Sequence, residues 1–248
     1  MTKKKIGIAA AGAIAVLLPL AAIAAITNSK HDLSSTSTSA SGIKSSSDQI
    51  CVFCHTPHKA QSTQVLWNHS ASANAAFSWG GVTQTSQGTV LPSGISTRSL
   101  RCLSCHDGSV ALGDVTNFGG AAATIGVPDI AGVVAGGKLA DPFYVVGASG
   151  NLAGNHPVGI AYPGQGAGVY NGAASGVTAA NAAAGYVAAA SITSSATPTV
   201  KLFADVATPA VVGIECGSCH DVHNSVGLDK LLWKANAGSA LCLSCHIK

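Results

Sequence analysis

The sequence predicts a coil-rich fold with few short helices and strands, organised by something other than an ordinary side-chain core. Three observations carry that expectation. The 248 residues include only 5% aromatic and 9% charged side chains, while Gly alone accounts for 29 positions. Large apolar side chains of the kind that fill an interior are therefore scarce. From Gly119 to about Pro198 the chain is mostly Gly, Ala, Val, Ser and Asn, with glycines close enough together to interrupt any long helix. Finally, all eight cysteines fall into four short, identical patterns. A loop stretch this long ordinarily counts against a compact domain. A chain wrapped around large bound groups escapes that objection.

Residues 1–24 read as a signal peptide. Lys3, Lys4 and Lys5 form a basic start, Ile6 to Ile26 is apolar, and Ala22-Ile23-Ala24 fits an A-x-A cleavage site near Ala24/Ala25. An uncleaved anchor is the alternative, since the stretch is long enough to span a bilayer. Pro19 and the small-residue end favour cleavage. Export implies passage through the periplasm to an extracellular location, with no membrane segment afterwards. Cleavage removes three lysines and no acids, so the formal charge of +3 falls to 3 − 3 = 0. A basic footprint for nucleic acid is absent.

Residues 25–50 form a Ser/Thr-rich segment, expected to be flexible or draped over the surface. Residues 51–248 are read as a single domain. Its first part carries two cysteine patterns together with Phe53, Trp67, Phe77 and Trp79, aromatic residues suited to packing against a bound ring. In the middle, Ala179–Ser191 is expected to form a short helix, with loops, turns and short strands around it. The last part, from Glu215, carries the other two patterns.

Those patterns are C-x-x-C-H: Cys51, Cys54 and His55; Cys102, Cys105 and His106; Cys216, Cys219 and His220; Cys242, Cys245 and His246. This spacing reads as covalent attachment of haem c. The cysteines form thioethers with the porphyrin edge, and the adjacent histidine reaches the iron. Zinc sites favour closed four-ligand sets at other spacings. Redox dithiols need neither the following histidine nor four copies, and disulfides give no reason for the histidine. Four attached haems are expected.

The second axial ligand decides between electron transfer and catalysis. The only methionine is Met1, so the distal ligand is expected to be histidine. Five histidines lie outside the motifs. His58 and His223 each follow a motif histidine by three residues, too close to cap their own haem easily and suited to a neighbouring one. His69 follows Trp67-Asn68. His156 precedes Pro157, which holds it extended. These four match four irons. His31 is the spare, expected to bond locally with Asp32 or to cap a turn. Asp107, Asp114 and Asp221 are read either as acceptors for ligand imidazoles or as solvated loop carboxylates. With both axial positions filled, no iron offers a vacant site. The expectation is an electron carrier and not an enzyme.

The runs CVFCHTPH (51–58), LWNH (66–69), RCLSCHDGSVALGD (101–114), NHPV (155–158), CGSCHDVH (216–223) and ALCLSCH (240–246) together resemble the four-haem extracellular cytochromes of the OmcE type, from Geobacter and similar archaeal proteins. The resemblance covers nearly all of the mature chain and is weakest in its Gly/Ala-rich middle. It implies sparse secondary structure around a stacked haem chain and polymerisation into a conductive extracellular filament, a nanowire. It also implies one axial histidine reaching a haem of the neighbouring subunit, a role carried by position to His58, with His31 as runner-up. Electrons would pass to other cytochromes or extracellular acceptors. A monomeric periplasmic shuttle and a multihaem reductase are the competing readings.

Overall fold

The computed structural model describes residues 26–62, 64–86, 88–165, 168–174, 185–193 and 200–248. The expected signal peptide and the first part of the expected helix at 179–191 lie outside the described residues. Coil dominates, as composition suggests. Among the described residues the longest element is helix α1, Thr97–His106. It starts where Ser96 accepts the Ser99 amide on its side chain, and runs ten residues without Gly or Pro. It ends at Asp107, followed by Gly108 at φ +69°. Added there, a Cβ would lie 2.9 Å from the Leu139 carbonyl oxygen, so the turn needs glycine for both conformation and space.

Among the described residues four small sheets follow. Strands β1 (Asp114–Phe118) and β2 (Ala121–Thr124) form an antiparallel hairpin, as do β3 (Val134–Ala135) with β4 (Lys138–Leu139). After β5 (Ile160–Ala161), strands β6 (Val169–Tyr170) and β7 (Ala173–Ala174) make a further hairpin. The described part of the expected helix is α2, Ala189–Thr193. Strands β8 (Phe203–Ala204) and β9 (Val212–Ile214) complete a three-stranded sheet in the order β5-β9-β8. That sheet runs directly into α3, Cys216–Cys219, and so anchors the third motif. Among the described residues no helix is long and apolar enough to cross a membrane.

The interior is split into three small clusters. One gathers Phe77, Trp79, Leu91, Leu103, Leu152 and Tyr162 with their neighbours. The others centre on Ile43, Leu112, Val134 and Leu139, and on Val52, Phe53, Val115 and Ile125.

Of the two readings of the Ser/Thr-rich segment, draping holds for its described part. Ser34, Ser37, Ser39, Ser45 and Ser47 are buried, alternating with exposed neighbours. Their hydroxyls accept amides two residues on: Ser39 N–H on Ser37 Oγ, Ser41 on Ser39, Ser47 on Ser45, and Gln49 on Ser47. Burial without helix or sheet leaves backbone amides in need of partners, and serine supplies them locally.

Candidate haem-attachment sites

Each C-x-x-C-H motif is a single tight turn. His55 N–H donates to Cys51 O (2.8 Å), His220 N–H to Cys216 O (3.2 Å) and His246 N–H to Cys242 O (2.9 Å). The second motif occupies the end of α1. All eight thiols are free. Burial pushes the Cys54 and Cys245 thiols up to about 11, and Cys105 further. Among the described residues no three His, Cys, Asp or Glu side chains gather around a bare ion. The histidines meet in pairs instead.

Three motif imidazoles point Nδ1 at a backbone carbonyl oxygen: His55 at Val65 O (2.5 Å), His106 at Tyr144 O (2.9 Å) and His220 at Lys230 O (2.9 Å). Donation from Nδ1 leaves Nε2 with its lone pair free, the tautomer a metal needs. The anticipated aspartates do not fill this role. Asp107 accepts from the Ser72 hydroxyl, Asn74 Nδ2 and Ser109 N–H, and Asp221 from Ser225. Both are buried loop brackets rather than solvated carboxylates. Asp114 accepts Thr124 Oγ1 across the β1–β2 hairpin.

The motif histidines face other imidazoles at nearly constant separation. Ring centroids lie 6.2 Å apart for His55 and His223, 6.0 Å for His106 and His31, and 6.3 Å for His246 and His156. Two imidazoles trans on one metal, with bonds of about 2 Å, have centroids about 6 Å apart. His31 was expected to bond with Asp32 or cap a turn. Instead Asp32 accepts from Asn28 N–H and from Ser34, while the His31 ring bonds the Val222 carbonyl and faces His106. Burial, then the neighbouring His106, lowers its pKa to about 4, which keeps it neutral.

His69 lies elsewhere. Fully buried, it has Nδ1 2.8 Å from Ser70 O and Nε2 3.1 Å from Ala111 O, and no motif histidine packs against its ring among the described residues. Burial lowers its pKa. A histidine in the fourth residue of LWNH looks as available as any other in the sequence; its position beneath the β1 hairpin, where it bridges to Val115, is a tertiary fact. His58 and His220 are exposed, and among the described residues neither faces another imidazole.

The structure also reveals a repeat that sequence reasoning missed. After the first motif the chain returns so that Thr56 N–H meets Leu66 O, Asn68 N–H meets Cys54 O and His55 pairs with Trp67. After the third, Asp221 N–H meets Leu231 O, Trp233 N–H meets Cys219 O and His220 pairs with Leu232. In both copies the imidazole bonds a carbonyl ten residues on. Both carbonyls belong to left-handed residues, Val65 (φ 53°) and Lys230 (φ 57°), each followed by a left-handed leucine. The shared C-x-x-C-H-x-x-H start and the later LW were the available signal.

Haem fits these sites on observations independent of the motif. A cavity of about 390 Å³ is lined by both His156 and His246, and also by Trp79, Leu91 and Tyr186. Trp79 Nε1 is buried there without a hydrogen-bond partner, a donor suited to an acidic group such as a haem propionate. A second cavity of about 420 Å³ adjoins Cys51 and His55. Bound haem supplies a one-electron iron couple. The protein's residues would fix the tautomers and hold the rings.

Residues 208–248 match the family described as the doubled CXXCH motif. A search of curated proteins returns no match. The doubled motif binds haem c. The family match, over the last two motifs, indicates a haem-binding c-type cytochrome in electron transfer.

Proposed function

We propose that the chain binds four haems c, each between two histidines, and conducts electrons as the subunit of an extracellular filament. The three imidazole pairs at 6.0–6.3 Å carry this reading. On this reading His223 serves the iron of His55, His31 that of His106 and His156 that of His246. His31 thus takes the place first expected for His69. With both axial positions filled, the iron stays six-coordinate, changes geometry little on reduction and leaves no place for a substrate.

His220 and His58 remain, and the repeat supports pairing them between copies. Within the chain, the second histidine of the third motif, His223, faces the motif histidine of the first copy, His55. The reciprocal contact, His58 against His220, is not made within the chain. Made between subunits, it joins them by coordination and brings a haem of one close to a haem of the next. Export through the periplasm agrees with the predicted signal peptide.

Mass spectrometry of the secreted protein should give four haem adducts, one per motif. Negative-stain images should show filaments that His58→Ala abolishes while leaving a haem-loaded monomer. Fewer adducts would sink the haem count. Filaments of normal length from the variant, or a wild type that sediments only as a monomer, would sink the filament.

A further inference from the structure

Glu215 is 2% exposed, and it precedes Cys216 directly. Its carboxylate accepts three hydroxyl protons. Tyr170 donates to Oε1 at 2.5 Å, and Ser96 and Ser99 both donate to Oε2 at 2.5 Å. Two features hold these donors in their roles. Ser99 Oγ accepts the Cys216 amide at 3.2 Å, which leaves its own proton for Glu215. Burial and the adjacent carboxylate push the Tyr170 phenol well above its usual range, so it stays protonated. Three donors and no acceptor define an ionised carboxylate.

Glu215 makes no ion pair among the described residues, where the only one is Lys30–Asp229; Arg98 acts on the cluster only through space, at Tyr170. Its guanidinium packs over the Phe203 ring at 5.3 Å and donates to Ala204 O. A buried charge without a counter-charge is strongly unfavourable unless polar groups compensate it. Here the compensation comes from the hydroxyls and the start of α1, where Ser96 is the cap.

The carboxylate stands at a junction. Ser96 and Ser99 open the helix that carries the second motif, and Glu215 itself caps α3, the helix of the third. The Cys102 and Cys216 side chains are neighbours across this point. Strand β6 delivers the third partner: Tyr170 packs so closely on Gly213 of β9 that a Cβ there would sit 2.5 Å from its ring. Two attachment edges therefore meet around one buried negative charge.

We propose that Glu215 is a positioning residue that also acts through its charge. It locks the second and third attachment helices together and favours the ferric state of both haems. The proposal rests on the haem-binding reading of these motifs. A ferric bis-imidazole porphyrin core carries one positive charge more than the ferrous one, so a nearby fixed anion stabilises the oxidised form. At an effective dielectric near 20 such a charge is worth roughly a tenfold change in the oxidised-to-reduced ratio at nanometre range.

The test uses exported, haem-loaded protein, with haem content fixed first by mass spectrometry and then a spectroelectrochemical titration. Glu215→Gln keeps the shape and removes the charge. Two of the haems should become easier to reduce, by about tenfold in that ratio, which is 59 mV for a one-electron couple. Tyr170→Phe keeps the charge and removes one donor, so the same haems should become harder to reduce. A merely structural bracket would move both variants the same way, or neither, and either outcome overturns the proposal. If Glu215→Gln fails to mature, the sign of the Tyr170→Phe shift decides alone. Wild-type protein without haem adducts would instead refute the haem reading.

Discussion

Residues 51–68 and 216–233 follow the same path through different surroundings. In the first copy Val52 and Phe53 are buried against Val115 and Ile125, and Asn68 Nδ2 donates to Val52 O and Asn117 O. In the second, Gly217 and Ser218 stand at the corresponding places. Gly217 lies against Phe203, and Trp233 donates its indole N–H to Gly217 O, with Lys201 Nζ 3.5 Å from its ring centroid. Core identity has changed entirely, yet the imidazole, its carbonyl acceptor and the left-handed pair are kept. What sets the axial geometry is therefore the returning backbone and its hydrogen bonds rather than the side chains packed behind it. The second difference is one of use. His223 of the later copy stacks on His55, while His58 of the earlier copy, equally exposed, meets no imidazole among the described residues.

Removing each of these histidines should break the comparison most sharply. His223→Ala should leave the His55 iron five-coordinate in every molecule, with a high-spin signal and carbon monoxide binding at one haem, whether or not the subunits are assembled. His58→Ala should expose a different iron, that of His220, by removing its ligand and assembly with it. Resonance Raman and carbon monoxide difference spectra on His223→Ala filaments and His58→Ala monomers separate the two. A His223→Ala filament that stays wholly low-spin would show that the copies are not used differently.

The N-terminal segment touches the later copy through His31 to the Val222 carbonyl and Lys30 Nζ to Asp229 Oδ1 at 3.3 Å, and the corresponding prediction is smaller. His31→Ala should also produce one high-spin haem, at the second motif, since His31 faces His106. His69, at the end of the earlier copy, should behave oppositely. His69→Ala should keep every iron low-spin and lower stability by about 1–3 kcal/mol, because it strips buried carbonyls of a partner. The measurement is the 77 K electron paramagnetic resonance spectrum together with a denaturation midpoint. A high-spin signal from His69→Ala would restore it to the ligand set.

These cases show what a sequence reveals of such a fold. The coil-rich architecture was legible because glycine spacing and scarce aromatics act locally, residue by residue. The attachment motifs were legible because their chemistry is confined to five consecutive positions. Distal pairing was not, since it depends on where loops return. His31 and His69 each sit beside polar neighbours in sequence, and only the route of residues 26–50 across the surface and the β1–β2 hairpin separates one from the other. The burial of alternate serines was equally hidden. A Ser/Thr-rich run has the composition of a free segment, and nothing short of the i+2 hydroxyl contacts distinguishes a draped coil from a loose one. Glu215 was passed over because its three donors come from two elements distant in sequence, the start of α1 and β6.

The smallest expected effect probes the returning turn itself. Val65 and Lys230 occupy equivalent left-handed positions, at φ 53° and 57°. An L-residue there pays about 1–2 kcal/mol, and a β-branched one sits at the upper end. Glycine relieves that strain but costs about 0.5–1 kcal/mol in conformational entropy. Val65→Gly should therefore stabilise the protein by about 0.5–1 kcal/mol, while Lys230→Gly should be close to neutral. Neither change touches the carbonyl that receives the imidazole Nδ1–H, so the low-spin spectrum should be unaltered in both. Guanidinium unfolding of haem-loaded monomer, in a His58→Ala background to suppress assembly, has the resolution for this difference. If Val65→Gly instead destabilised the protein or altered the axial spectrum, the left-handed valine would be holding the carbonyl in place through its side chain, and the two turns would owe their common shape to different causes.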